Sequence, residues 1–243
     1  MLYHCFDDLD PCTILTSVLR SIFMAERISI TASDGHILDA WHALPTGKVK
    51  GGVVFLQAIY GLTDHLGDVC NWFARDGFAA IAPATYDRTE KNKVFAYNDH
   101  GGMQFRENLN EDTVLLDIEA GITMLRKVTD HIAISGFCTG GTWAWIAANQ
   151  LDLDAAVIFY GSDIHDNLDR RPKCPVILHY GDADHVVSFE MVQRIKKKYP
   201  ESEFHIYAGA GHAFYNPEQS NHDADAAALA HQRSVVFLES HFD

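Results

Sequence analysis

The sequence is short of basic residues, and this shortage excludes two kinds of partner. Its 243 residues include 19 Lys and Arg against 33 Asp and Glu, which gives a formal net charge of −14. A protein with this charge is repelled by the phosphates of nucleic acids and by anionic lipid surfaces. We therefore expect no nucleic acid and no membrane among its partners. For its assembly we expect a monomer or a small homo-oligomer.

Cysteine pairs and long apolar runs are also missing. The five cysteines, at positions 5, 12, 70, 138 and 174, include no Cys-x-x-Cys pair, which favours free thiols and a cytoplasmic protein. Residues 12–23 are mildly apolar, but they are too few to cross a bilayer and follow acidic residues where a signal peptide would be basic. We interpret residues 1–23 as an N-terminal extension, either an added helix or the result of an upstream misread start, and residues 24–243 as a single domain.

What the sequence does contain is a repeated alternation of strand and helix patterns. Short apolar runs predict strands, and apolar residues at helical spacing predict helices. The predicted strands are 27–31, 37–43, 51–57, 78–82, 131–135, 155–160, 175–180 and 203–207, and the predicted helices are 64–75, 111–127, 142–150, 188–198 and 223–241. This order predicts an α/β fold with a mostly parallel sheet and helices on both faces. Residues 86–110 lack a sustained period and form a long insertion.

One glycine-rich segment lies between a predicted strand and a predicted helix. Residues 136–140 read Gly-Phe-Cys-Thr-Gly, which matches the nucleophile elbow of hydrolases with Cys138 in place of serine. The N-terminus of the following helix favours a thiolate over a thiol at this position. The alternative is a buried structural cysteine in a glycine-rich turn.

Two polar loops further along the chain supply an acid and a base. Asp184 and His212 each follow a predicted strand, so they are expected at the same edge of the sheet as Cys138. The order of nucleophile, acid and histidine is the one that the hydrolase fold uses. We predict that His212 takes the thiol proton and that Asp184 orients the imidazole. Asp182 and His185 remain open as competing candidates for the acid and the base.

The residue after the nucleophile supplies one backbone N–H of the oxyanion hole in such a turn, and here it is Thr139. The glycines of residues 136–141 match neither a dinucleotide fingerprint nor a Walker loop. The histidines also lack the spacing of a metal site. We therefore expect no cofactor and no metal, and a small molecule with a reactive acyl carbon as the substrate.

Residues 26–242 resemble the dienelactone hydrolase family, whose members are small single-domain α/β-hydrolases that open an enol lactone with a Cys-Asp-His triad. The motifs that carry the resemblance are Ser33-Asp34-Gly35, Gln57-Ala58-Ile59-Tyr60-Gly61, Gly77-Phe78-Ala79-Ala80 with Pro83, Gly136 to Gly141, Gly181-x-x-Asp184, Ala210 to Phe214 and Ala226 to Ala230. The resemblance implies the α/β-hydrolase fold, an ester or lactone as substrate, and catalytic roles for Cys138, Asp184 and His212. It also implies that the N–H of Ile59 is the second oxyanion donor.

Two positions depart from the family pattern. The family carries a glutamate beside the cysteine that helps to convert the thiol into a thiolate, and Ala58 occupies that position. An arginine that holds the substrate carboxylate corresponds to Asn216. Arg106 and Arg88, both in the insertion, are candidates for a second carboxylate-binding arginine, with a solvated loop arginine as the alternative in each case. Tyr60 is a further candidate for substrate binding.

These departures lead to two hypotheses. First, the hydrolase chemistry is retained while the substrate differs from an acidic dienelactone, because half of the anion clamp is missing. Second, without the glutamate Cys138 forms an ion pair directly with His212 and reacts even when no substrate is bound. Two alternatives stay open, namely a general carboxylesterase or thioesterase of the same fold and a non-enzymatic protein that uses Cys138 as a redox sensor.

Overall fold

The structure is a computed structural model that describes residues 25–242, so the predicted extension of residues 1–23 lies outside the described part. The strands are β1 (Glu26–Thr31), β2 (Ile37–Ala43), β3 (Gly51–Leu56), β4 (Phe78–Pro83), β5 (Ile132–Phe137), β6 (Ala155–Phe159), β7 (Val176–Gly181) and β8 (Glu203–Tyr207). The helices are α1 (Asp64–Arg75), α2 (Gly101–Glu107), α3 (Glu111–Leu125), α4 (Thr139–Gln150), α5 (Phe189–Lys198) and α6 (Ala224–His241). Within residues 25–242 no helix is both long enough and apolar enough to cross a membrane.

The strands of the described residues form one eight-stranded sheet in the order β1-β2-β4-β3-β5-β6-β7-β8. The pairs β1–β2 and β2–β4 are antiparallel, and every other neighbouring pair is parallel. Strands β3 to β7 are buried along their whole length, which explains why they read as continuous apolar runs. The predicted fold class, α/β with a mostly parallel sheet, is confirmed.

Helices cover both faces of this sheet. Neighbouring residues of a strand point to opposite faces, and in β3 the ring of Phe55 packs against Phe73 of α1 with centroids 4.8 Å apart. The preceding side chain of β3, Val54, faces Gly121 of α3 instead. Helices α1 and α3 therefore lie on opposite faces. Helix α6 shares the face of α1, because its His231 contacts the ring of Phe73 at a centroid distance of 4.7 Å.

The insertion between β4 and α3 has a structure of its own. It contains α2, which the sequence pattern does not predict, because a seven-residue helix that begins with two glycines shows no apolar period. Phe105 of this helix packs against Tyr86 and Phe95, with ring centroids 5.4 Å and 5.0 Å away. An isolated bridge between Gly61 and Val94 joins the insertion to the loop after β3. The insertion therefore lies over the carboxyl edge of the sheet.

Candidate active site

Cys138 lies in a sharp turn between β5 and α4. Its backbone angles, φ 55° and ψ −118°, are unusual for a residue that has a side chain. Gly140 allows the turn to pass close to β3, since a Cβ at that position would lie 2.3 Å from the carbonyl oxygen of Leu56. The turn leaves the Cys138 side chain half-buried and in the wall of a pocket. This is the shape that the glycine-rich pattern predicts.

Asp184 and His212 are in direct contact at the same edge of the sheet. Nδ1 of His212 donates to Oδ2 of Asp184 over 2.8 Å. The other carboxylate oxygen of Asp184 accepts the backbone N–H groups of Val186 and Val187, at 2.7 Å and 2.9 Å. The Asp184 side chain is completely buried. With three donors around it, the carboxylate is fixed in place and fixes the orientation of the imidazole.

The second ring nitrogen of His212 faces a different neighbour. Nε2 is buried and makes no hydrogen bond of ordinary geometry with any of residues 25–242, yet Cys138 is close enough to influence the ring. Burial lowers the pKa of His212, but the interactions with Asp184 and then with Cys138 outweigh it and raise that pKa from 6.5 to about 10. An imidazole with a pKa this high carries a proton at neutral pH.

The two competing candidates have other surroundings. Asp182 is exposed, and its Oδ1 accepts the backbone N–H of Gly209 at 2.6 Å. His185 lines the pocket, but its ring centroid lies 6.5 Å from that of His212. The structure thus brings together Asp184 and His212, and it gives Asp182 the role of holding a turn.

The two predicted oxyanion donors, Ile59 and Thr139, lie on different elements. Thr139 is the first residue of α4, so its N–H has no acceptor within the helix. Ile59 lies in the loop after β3 and lines the pocket. The hydroxyl of Tyr86 lies 3.1 Å from the carbonyl oxygen of Ile59 and 3.2 Å from that of Gly102. Burial raises the pKa of Tyr86, so this hydroxyl keeps its proton and can donate to those carbonyl groups.

The pocket has a volume of about 340 Å³, and most of the residues that line it carry no charge. Its apolar and aromatic lining residues are Ala58, Ile59, Tyr60, Leu66, Tyr97, Met103, Phe137, Tyr160, Val186 and Ala213. Its polar lining residues are Thr63, His65, Cys138, Ser162, His185, His212, Asn216, Gln219 and Asn221. Within residues 25–242, Arg106 is the only Lys or Arg that lines it, and no Asp or Glu does. The shape and lining suit a small, largely uncharged molecule.

The structure separates the candidates for substrate binding. Arg106 and Tyr60 line the pocket, whereas Arg88 does not. The guanidinium of Arg88 pairs at 2.8 Å with the buried Asp117 and at 2.8 Å with Asp34. Those partners lie 29 and 54 positions away in sequence, so the insertion pattern alone could not reveal them. Arg88 therefore ties the insertion to α3 and to the turn between β1 and β2, and its position outside the pocket does not support substrate binding.

Both departures from the family pattern also lie in the pocket wall. Ala58 places a methyl group there. The Asn216 amide donates to the hydroxyl of Tyr97 at 3.1 Å and accepts the backbone N–H of Glu218 at 2.9 Å. Neither position brings a charge to the pocket.

Sequence reasoning missed two residues of this site. His65 of α1 lines the pocket, and burial, with a smaller effect of His222, lowers its pKa from 6.5 to about 4, so its ring is neutral. It lies within an amphipathic helix and gives no signal of its own. Asp163 pairs with Arg106 over 2.6 Å. Its signal was its position just after β6, at the carboxyl edge of a parallel sheet where ligands bind.

These features define a class of protein. A cysteine in a nucleophile elbow stands at the carboxyl edge of a mostly parallel sheet, and the loops that carry Asp184 and His212 reach the same edge. This arrangement is the α/β-hydrolase fold.

Comparison with known proteins identifies the family within that class. The sequence profile of the Dienelactone hydrolase family matches residues 38–242. Carboxymethylenebutenolidase from Pseudomonas putida is 29% identical over 230 residues, which cover 88% of this chain and 96% of that protein. The carboxymethylenebutenolidase of Pseudomonas sp. (strain P51) is 29% identical over 231 residues, which cover 89% of this chain and 95% of that protein. Their similarity spans nearly all of the described fold.

A solved structure supports the same family. The crystal structure of a protein from Klebsiella pneumoniae subsp. pneumoniae MGH 78578, assigned as a dienelactone hydrolase, matches with a TM-score of 0.76 and 25% identity, covering 88% of this chain and 98% of that one. This chain belongs to the dienelactone hydrolase family. It is therefore a hydrolase that acts on lactone or ester bonds, which favours the enzyme over the redox-sensor alternative.

Proposed function

We propose that this protein hydrolyses a small, uncharged lactone or carboxylic ester, with Cys138 as the nucleophile, His212 as the base and Asp184 as the residue that orients the base. The observation that carries the proposal is the 2.8 Å hydrogen bond between His212 and Asp184, beside the pocket that Cys138 lines. The raised pKa of His212, about 10, supports a resting state in which the imidazole carries a proton beside the thiolate.

In the first half of the reaction, the Cys138 thiolate attacks the acyl carbon and forms a C–S bond. The carbonyl electron pair moves onto oxygen, where the N–H groups of Ile59 and Thr139 stabilise the negative charge. When the tetrahedral intermediate collapses, the C–O bond to the alcohol breaks, and the leaving alkoxide takes the proton from Nε2 of His212. The product is an acyl-cysteine thioester. For a lactone, the new hydroxyl group remains on the same molecule as the acyl group.

In the second half, water attacks the thioester while the now neutral His212 takes one of its protons. The C–S bond breaks and the sulfur leaves as a thiolate, so the ion pair between Cys138 and His212 is restored. The carboxylic acid departs and releases its proton to solvent. Asp184 stays hydrogen-bonded to Nδ1 throughout and stabilises each cationic state of the ring.

The proposed substrate class follows from the lining of the pocket. The relatives named above are carboxymethylenebutenolidases, which supports lactone opening by this chain. Asn216 lines the pocket at the position where the family pattern has a carboxylate-binding arginine, and it brings no positive charge. An acidic dienelactone therefore finds a weaker anion clamp here than the family pattern implies.

The test is a substrate panel with matched variants. We would measure kcat/KM for dienelactone, for uncharged lactones, for a p-nitrophenyl ester length series and for an acyl thioester, with wild type, Cys138→Ala and His212→Ala. Loss of a nucleophile or a general base is expected to cost at least about a hundredfold in rate, and mass spectrometry of a quenched reaction should find the acyl group on the Cys138 peptide. Unchanged activity in His212→Ala would contradict the mechanism. Dienelactone as the best substrate of the panel would contradict the proposed substrate class alone.

A further inference from the structure

An ion pair between Arg106 and Asp163 lies at the wall of the active-site pocket. Arg106 of α2 is the only Lys or Arg that lines the pocket among residues 25–242. Its Nη2 donates to Oδ2 of Asp163 over 2.6 Å. The two side chains are similarly accessible, at 30% and 28% of their maximum. The positive charge that an anionic ligand would seek in this pocket is therefore already paired.

Asp163 is held at this position by contacts that do not involve Arg106. The hydroxyl of Ser162 donates to the same Oδ2 at 2.6 Å. The backbone N–H of Asp163 donates to Oγ1 of Thr142 at 3.0 Å, and its carbonyl oxygen accepts the side-chain amide of Asn167 at 2.9 Å. The carboxylate thus belongs to a rigid corner after β6, and Arg106 comes to it from the insertion.

This geometry has a consequence for ligand charge. A ligand carboxylate that approached Arg106 would have to compete with Asp163 for the guanidinium, and it would be repelled by the carboxylate that it displaced. The chain as a whole, with a net charge of −14, offers no compensating attraction. An uncharged acyl chain meets neither obstacle.

We propose that Asp163 is a specificity-determining residue that cancels the charge of Arg106 and so directs the pocket toward uncharged substrates. The inference rests on the proposed function, because it concerns the acyl or alcohol part of the substrate in the same pocket. It assigns the choice of substrate charge to a residue outside the proposed triad and outside the two positions that depart from the family pattern.

The test compares two esters of the same length that differ in charge, p-nitrophenyl hexanoate and mono-p-nitrophenyl adipate. The measured quantity is the ratio of kcat/KM for the anionic ester to kcat/KM for the neutral one. In Asp163→Asn this ratio should rise by about tenfold or more, because one unpaired charge a few ångströms away has at least that effect at a protein surface. In Arg106→Gln the ratio should fall below that of wild type. The double variant should return the ratio toward the wild-type value.

Asp166→Asn is the matched control. Asp166 lies in the same loop and is 68% exposed, and its carboxylate pairs with His165 at 3.4 Å. This variant removes the same charge from the same loop, so its ratio should stay within about twofold of wild type. A ratio in Asp163→Asn that is no higher than in Asp166→Asn overturns the proposal. An equal loss of kcat/KM for the anionic and the neutral ester in Asp163→Asn also overturns the proposal, because the ion pair would then only hold α2 in place.

Failure of the proposed function would look different. It would appear as wild-type protein that cleaves neither ester faster than Cys138→Ala. In that event charge selection is measured by calorimetric binding of hexanamide and adipamic acid to Cys138→Ala, with and without Asp163→Asn. Tighter binding of adipamic acid upon the second substitution supports the proposal, and unchanged binding contradicts it.

Discussion

Asp184 and His212 are joined by a 2.8 Å hydrogen bond, and the Asp184 carboxylate is itself held by two backbone amides. The acid therefore cannot turn away from the ring without breaking its contacts to Val186 and Val187. In the proposed mechanism, a fixed acceptor at Nδ1 leaves Nε2 as the nitrogen that exchanges a proton with Cys138 or with substrate.

The first prediction concerns the identity of the acid. Asp184→Asn replaces a charged acceptor by a neutral amide, which can also present an N–H to the ring and favour the wrong tautomer. We expect kcat/KM to fall by about a hundredfold to ten-thousandfold, with little change in fold. Asp182→Asn is the control, because an asparagine can still accept the N–H of Gly209 through its side-chain oxygen. Equal activity losses in the two variants would contradict the assignment of Asp184.

The second prediction concerns the dependence of stability on pH. The pKa of His212 is raised from 6.5 to about 10 in the folded protein. A folded-state pKa above the unfolded value stabilises the fold fully below the unfolded pKa, and this contribution is lost as the pH rises toward the folded pKa. We expect the free energy of unfolding of wild type to fall more steeply between about pH 7 and pH 10 than that of His212→Gln. Urea titrations across this range check it, and parallel curves would contradict it.

The third prediction concerns the loop that carries a proposed oxyanion donor. Tyr86→Phe removes the hydroxyl between the carbonyl oxygens of Ile59 and Gly102. The single hydroxyl proton is shared between these two acceptors, so its loss should lower the free energy of unfolding by about 1 kcal/mol. We also expect kcat to fall by roughly tenfold with little change in KM, because a mobile loop stabilises the transition state less than a fixed one.

Tyr199→Phe provides the control for that prediction. The hydroxyl of Tyr199 donates to the carbonyl oxygen of Leu168 at 2.6 Å, and neither residue lines the pocket. This variant should lose similar stability and keep its kcat. If both variants lost kcat equally, the effect of Tyr86 would be general destabilisation and not positioning of the loop at Ile59.

How much of the structure can be predicted from the sequence depends on the range of the interactions that form each feature. Every strand predicted from residue 26 onward is present. For β3 to β7 the reason is burial on both faces, which imposes a continuous apolar run that can be found without knowledge of the partner strands. The elbow around Cys138 could also be predicted, because its glycines lie within a short segment and are required where the backbone passes too close for a side chain. The loops of Asp184 and His212 could be placed at one edge because parallel strands share their carboxyl end.

What the sequence could not provide are the pairings across the fold. Arg88 and Arg106 look alike as arginines of one insertion, yet the first is bound to Asp117 of α3 and the second lies in the pocket wall. The difference is decided by which acid each side chain meets after folding. Asp163 was overlooked for the same reason, because its contact with Arg106 spans 57 positions.

The last prediction concerns the reactivity of Cys138 in the absence of substrate. Ala58 lines the same pocket as Cys138, and no Asp or Glu of residues 25–242 lines it, so no carboxylate in this wall opposes the thiolate of the proposed ion pair with His212. Ala58→Glu introduces a carboxylate beside the sulfur, and Ala58→Gln introduces a side chain of the same shape without the charge. Like charges a few ångströms apart near a protein surface disfavour each other by about 1 kcal/mol or more, so iodoacetamide at neutral pH should alkylate Ala58→Glu at least about fivefold more slowly than Ala58→Gln.

Peptide mapping must show that the label is on Cys138, because Cys70 and Cys174 are also free thiols. Burial raises the pKa of Cys174 to about 12, and that of Cys70 also lies above its ordinary value, so both should react slowly in every variant. Equal rates for the two Ala58 variants would mean that charge in the pocket wall does not control the thiolate, and that the missing family glutamate has no part in setting the resting state of this cysteine.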